Sequence, residues 1–128
     1  MRIAICDDDS LELARISSYI DAYRRERNAS LAYSSFQSAA ELISHADSGA
    51  FRLLLLDIMM PGINGVEAAQ EIRTFDTGVK IVFLTSSPEY AVESYSIRAY
   101  DYILKPVHKD KLFSVLDAVI ADEQMPLD

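Results

Sequence analysis

The 128-residue chain reads as an α/β protein, with a parallel sheet covered by helices on both faces. Two patterns predict this. Short continuous apolar runs recur along the chain, as expected of strands buried on both faces, and each is followed by apolar residues at helical spacing. Five such pairs follow one another with no repeat, long linker or low-complexity tract between them, the alternation that builds a doubly wound sheet. Strands are expected at about 2–6, 31–36, 53–57, 80–85 and 101–104, and helices at about 10–26, 39–47, 65–75, 88–97 and 109–121.

The first strand is the run Ile3-Ala4-Ile5-Cys6, and the first helix follows with Leu13, Ile16, Ile20 and Tyr23 on one face. Asp9 with Glu12, Ser38 with Glu41 and Asn64 with Glu67 each set a capping oxygen three residues ahead of a glutamate, the spacing of a reciprocal cap, and so mark three helix starts. The third strand is Leu53 to Leu56. After it Pro61-Gly62 and Gly65 give the densest turn signal, a tight loop between strand three and helix three. Ile81 to Leu84 form the fourth strand, and Ser87-Pro88 starts the fourth helix, since proline at the first helical position loses no hydrogen bond. Tyr102-Ile103-Leu104 is the fifth strand. One domain over 1–121 is expected, with 122–128, polar and carrying Pro126, as a tail or the start of a linker.

Composition narrows the function. A net charge of −8 repels a phosphate backbone, so these residues are not expected to bind nucleic acid directly and suit a divalent cation better. The single cysteine, Cys6, cannot form an internal disulfide, and His45 with His108 gives no zinc spacing. No run is long enough to cross a bilayer and no signal-like segment precedes the first strand, so the chain reads as cytoplasmic.

The chemistry sits at strand ends. If the runs are parallel strands, Asp7-Asp8, Asp57, Thr85 and Lys105 meet at one edge of the sheet. Two carboxylates about 5 Å apart repel by roughly 3 kcal/mol at an effective dielectric near 20, and a third adds to this. Such a cluster calls for a cation, and an all-oxygen set suits Mg²⁺ or Mn²⁺. Taken singly, Asp7-Asp8 could be a solvated strand end, Thr85 an ordinary strand residue and Lys105 a surface lysine; their joint occurrence at corresponding strand ends favours a site. Cys6 beside the carboxylates reads as a strand filler, because they suppress its thiolate.

The pieces Cys6-Asp7-Asp8-Asp9, Leu55-Leu56-Asp57-Ile58-Met59-Met60-Pro61-Gly62, Asn64-Gly65, Leu84-Thr85-Ser86 and Lys105-Pro106 resemble, in order and spacing, the response regulator receiver domain of two-component systems. The resemblance runs from Arg2 to about Ile120. It implies a flavodoxin-like sheet in the order 2-1-3-4-5 with the active edge at the switch point between strands one and three. It also implies that Asp57 is the phosphoacceptor, taking a phosphoryl group from a sensor histidine kinase. Asp8, Asp57 and the Met59 carbonyl would bind Mg²⁺ directly and Asp7 through water. Thr85 and Lys105 would contact the phosphoryl group, Ser86 would leave room for it, and Tyr102 would be an aromatic switch that follows Thr85. The Lys105-Pro106 peptide is expected to be cis, and Met59 and Met60 to shape the loop over the site.

The stretches Glu89 to Tyr95 and Ala99 to Pro106 resemble the receivers that precede LytTR-type DNA-binding domains. Any DNA contact would then belong to an output domain outside these residues. Arg98 stands where related sequences carry Gly or Asn, so it is not a residue that favours a left-handed helix end. Tyr90, Tyr95, Tyr100 and Tyr102 cluster around the fourth helix and fifth strand, and read either as packing or as a face for a phosphorylation-dependent homodimer. Two other classes compete with this signalling module. A dehalogenase-type aspartyl phosphatase would need an acid two residues after Asp57, where Met59 stands. A pseudo-receiver acting only as a dimerisation scaffold would not need the intact acidic trio of Asp7, Asp8 and Asp57, and a stand-alone receiver relay would differ only in having no DNA-binding output domain.

Overall fold

The computed structural model describes residues 1–87 and 97–124. Strands β1 (Arg2–Cys6), β2 (Ala32–Phe36), β3 (Leu53–Asp57), β4 (Lys80–Thr85) and β5 (Asp101–Leu104) form one parallel sheet in the order β2-β1-β3-β4-β5. Among the described residues four helices accompany it: α1 (Ser10–Arg27), α2 (Ala39–His45), α3 (Gly65–Arg73) and α4 (Lys109–Gln124). Of the helix expected at about 88–97, residues 88–96 lie outside the described residues, Pro88, Tyr90 and Tyr95 among them.

Side-chain alternation along each strand divides the core into two layers. Ile3, Ile5, Leu53, Leu55, Val82, Leu84 and Ile103 pack with Ile16 and Ile20 of α1 and with Leu112 and Leu116 of α4. Ala4, Cys6, Leu54, Leu56, Ile81 and Phe83 pack on the opposite face with Leu42 of α2 and with Ala68, Ala69 and Ile72 of α3. Every residue of β3 is buried, which is why its sequence is an unbroken apolar run ending in one acid. The stripe Leu13, Ile16, Ile20 and Tyr23 on α1 is buried as its spacing predicts.

Only one of the three expected reciprocal caps closes on both sides. Asn64 Oδ1 accepts from the Glu67 amide at 2.9 Å and Glu67 returns a bond to the Asn64 amide at 3.1 Å. At α2 the Ser38 hydroxyl accepts from the Glu41 amide, but among the described residues the Glu41 carboxylate does not reach back. At α1 Asp9 accepts from the Leu11 amide instead of that of Glu12, and Glu12 turns along the helix to Arg15 at 3.0 Å. A cation one turn away outcompetes a backbone amide for that glutamate.

Arg98 is left-handed at φ 59° despite lacking the preferred side chain, a conformation costing roughly 1–2 kcal/mol in a non-glycine residue. Arg73, at the end of α3, holds it there. Its guanidinium donates to the carbonyls of Ile97 at 2.9 Å, Arg98 at 3.2 Å, Val79 at 2.5 Å and Asp76 at 3.3 Å. Burial, with Arg98 nearby, holds the Arg73 pKa below the usual arginine value. α4 runs to Gln124, past the expected end at 121. Asp122 accepts from the Tyr100 hydroxyl at 2.6 Å and Glu123 pairs with Lys80 at 2.7 Å, so the first two residues of the expected tail belong to the folded unit. Among the described residues no helix is long and apolar enough to cross a membrane.

Candidate functional site

The strand register brings the chemistry together. Cys6 pairs with Leu56, Asp57 with Leu84 and Thr85 with Leu104, so residues that end or follow β1, β3, β4 and β5 share one edge. Asp7 and Asp8 follow β1, Asp57 ends β3, Thr85 ends β4 and Lys105 follows β5. One oxygen from each of Asp7, Asp8 and Asp57 lies within 4.8 Å of the others. Asp7 and Asp57 are buried and Asp8 is exposed.

Lys105 reaches into this cluster, with Nζ 2.8 Å from Asp7 Oδ2 and 3.2 Å from Asp57 Oδ1. Sequence reasoning assigned this amine to a phosphoryl group and did not anticipate its pairing with the acids. The other Asp7 oxygen accepts from the Asp9 amide at 3.0 Å, and Asp57 Oδ1 also accepts from the Met59 amide at 3.3 Å. Burial, then the neighbouring Asp7 charge, push Asp57 up to about 7 against the opposing pull of Lys105. Burial opposes the charge on Lys105, but its hydrogen bond to Asp7 and the two carboxylates outweigh this and raise its pKa. Three carboxylates against one ammonium leave two negative charges in excess, the charge of one divalent cation. Hard oxygens in this number suit Mg²⁺ or Mn²⁺, so the residues present fit such an ion.

The loop after Asp57 is held by a close approach. A β-carbon on Gly65 would stand 2.2 Å from the Asp57 carbonyl oxygen and 2.8 Å from Ile58 Cα, so only glycine lets α3 start against the end of β3. The Gly65 amide donates to the Ile58 carbonyl at 2.9 Å. Sequence reasoning read Gly65 only as a turn residue. Met59, 56% exposed, stands at the rim. Met60 does not join it there. It is buried in the α2–α3 layer, where its sulfur accepts from the Cys6 thiol at 3.7 Å. Burial first, then Asp7 and Asp57, push the Cys6 thiol up to about 12, so it is protonated at neutral pH.

Thr85 is buried at the site edge, but its hydroxyl is engaged with Ser87, donating to the carbonyl and accepting from the amide at 3.0 Å each. Tyr102, two strand positions from Leu104, points outward and is 37% exposed. The Lys105-Pro106 peptide is cis, as the resemblance implies. Arg73 was missed altogether, because an arginine closing a helix carries no sequence signal beyond favourable interaction with the helix dipole.

Residues 3–117 match the response regulator receiver domain. The chain belongs to that family. Its fold is that of the response regulatory domain of protein mrkE from Klebsiella pneumoniae, 28% identical, with a TM-score of 0.85 over 98% of this chain and 100% of that one. The receiver is 30% identical over 119 residues to the positive alginate biosynthesis regulatory protein of Pseudomonas aeruginosa, covering 91% of this chain and 46% of that protein. It is also 43% identical over 61 residues to the sensory transduction protein LytT of Oceanobacillus iheyensis, 46% of this chain and 25% of that protein. These likenesses bear out the expected LytTR grouping. The receiver spans less than half the length of these last two relatives.

Proposed function

We propose that this receiver accepts a phosphoryl group on Asp57 from the phosphohistidine of a sensor histidine kinase, and that the reaction depends on Mg²⁺ or Mn²⁺. The observation that carries the reading is the cluster itself: three carboxylates with oxygens within 4.8 Å of one another, two of which, Asp7 and Asp57, share the Lys105 ammonium group. An Asp57 carboxylate oxygen attacks phosphorus in line, the P–N bond breaks, and its electron pair leaves on the imidazole nitrogen, which takes a proton from solvent. Asp7, Asp8, Asp57 and the Met59 carbonyl would hold the ion, which when bound supplies positive charge to the phosphoryl oxygens. Lys105, already 3.2 Å from the nucleophile, is placed to follow the charge outward onto the phosphoryl group. Thr85 has one hydroxyl proton and can donate it to the same group only by giving up its bond to the Ser87 carbonyl. That exchange is the proposed switch, with the exposed Tyr102 turning inward into the space Thr85 leaves.

The exposed Met59, two residues after Asp57, offers no general acid, which disfavours a turnover phosphatase. The longer relatives, among them transcriptional regulatory proteins of Bacillus subtilis and Escherichia coli, support an output role in transcription. In this reading a further domain binds DNA, and the phosphorylated receiver acts as a cytoplasmic homodimer. Incubation with acetyl phosphate and Mg²⁺ is expected to add one phosphoryl group by intact-mass measurement, and Asp57→Asn to abolish the addition. Undiminished labelling of that variant would refute Asp57 as the acceptor. In sedimentation velocity, beryllofluoride with Mg²⁺ is expected to convert monomer to dimer, and identical profiles with and without it would refute the dimer.

A further inference from the structure

A second surface lies away from the acidic cluster. Between α2 and α3 runs a groove of about 560 Å³, lined by Ala40, Ile43 and Ser44 on one wall and by Ile63, Glu67 and Glu71 on the other. Its floor is apolar: Ile43 packs onto the α2–α3 core layer, and Ile63 is 41% exposed. Its α3 wall is acidic. Glu67 and Glu71 are exposed, both line the groove and lie one helical turn apart on the same face of α3.

These two acids differ from several others on the surface in what faces them. Glu12, Asp21, Glu26, Asp101, Asp117 and Glu123 each pair with an arginine or lysine, whereas among the described residues neither Glu67 nor Glu71 is in an ion pair. Glu67 spends one oxygen on the Asn64 amide and keeps the other free of any hydrogen bond to a described residue. An apolar trough with an unneutralised acidic rim on one side matches an amphipathic helix that carries apolar residues at helical spacing and lysine or arginine along one flank. An extended acidic segment would meet repulsion from both glutamates, and a wholly apolar one would leave them unpaired.

We infer that the α2–α3 groove is a docking surface for a cationic amphipathic helix of a partner protein or domain, its apolar face on Ile43 and Ile63 and its cations on Glu67 and Glu71. The inference is independent of the chemistry proposed for Asp57 and stands on a different face of the molecule.

The test uses the whole chain without metal and a synthetic helical peptide of about 14 residues, four turns, built from leucine and lysine, with a second peptide bearing glutamate at every lysine position. In ¹⁵N–¹H correlation spectra the lysine peptide is expected to shift the amides of Ala40, Ile43, Ser44, Ile63 and Glu71, and the glutamate peptide to shift none of them. Glu71→Lys and Ala40→Lys, both at exposed helix positions that tolerate lysine, are each expected to weaken binding at least tenfold. Glu26→Lys on α1, the same charge change elsewhere, is expected to leave it within twofold. Equal weakening by Glu26→Lys, or shifts spread over all acidic faces, would overturn the inference in favour of unspecific charge attraction. So would equal binding of both peptides, absence of any shift, or groove shifts that grow with protein concentration alone, which would make the occupant a second copy of this chain.

Discussion

Replacing Asp57 with asparagine removes a charge that the metal-free protein accommodates poorly. The carboxylate is 2% exposed, lies in one cluster with the oxygens of Asp7 and Asp8, and shares Lys105 with Asp7. Its pKa stands at about 7 against 3.8 for the free group, a difference of about three units, and at about 1.4 kcal/mol per unit the ionised form carries at most about 4 kcal/mol of penalty. Solvent entering beside the exposed Asp8 screens part of this, which brings the expected gain to about 2 kcal/mol. The native state holds this proton more tightly than the unfolded chain. The penalty is therefore absent below about pH 4, grows between pH 4 and 7 as the unfolded chain gives up its proton first, and is complete above pH 7. In EDTA at pH 8, Asp57→Asn is expected to melt about 5–10 °C above the parent by scanning calorimetry, and the gap is expected to close by pH 4. Mg²⁺ should raise the parent's melting temperature more than the variant's, because the ion is bound more weakly when one carboxylate is gone. A variant no more stable than the parent at pH 8 without metal, or a gap that persists at pH 4, would refute the argument that the cluster is held against its own repulsion.

Two other substitutions probe how the site is held. Gly65→Ala places a methyl group within van der Waals overlap of the Asp57 carbonyl, so it is expected to lower stability by about 3 kcal/mol in urea titration and to slow labelling by acetyl phosphate; an unchanged midpoint would show that the loop can retreat. Arg73→Met keeps the apolar stem but removes every donor to four carbonyls, and it is expected to cost about 2 kcal/mol and to speed amide exchange at Tyr100, which bonds the Ile81 carbonyl next to the clamp. Exchange at Tyr100 unchanged from the parent would mean that the clamp does not hold this stretch.

Strand positions were legible because their cause is local. A strand covered on both faces must be apolar along its length, so β3 and β4 announce themselves as apolar runs, and the polar residues that end them lie at the carboxyl edge of the sheet. Once the runs are parallel, Asp7, Asp57, Thr85 and Lys105 fall at one edge without further information. The Asn64 cap was legible for the same reason, since both partners lie within one turn.

Other features depend on atoms distant in sequence. The pairing of Lys105 with Asp7 joins residues 98 positions apart, and nothing near either one specifies it. Whether Glu12 caps its helix or meets Arg15, and whether Met60 covers the site or turns to Cys6, are contests between neighbours of similar local merit that packing settles. Arg98 adopts a conformation its side chain does not favour because Arg73, at the end of α3, binds its carbonyl. Residue order alone therefore placed the acids, hydroxyl and amine at a common edge through local periodicity. Which of them are paired, buried or withheld from one another, down to the Thr85 hydroxyl turned toward Ser87, was decided by the packing of elements that meet only in the folded chain.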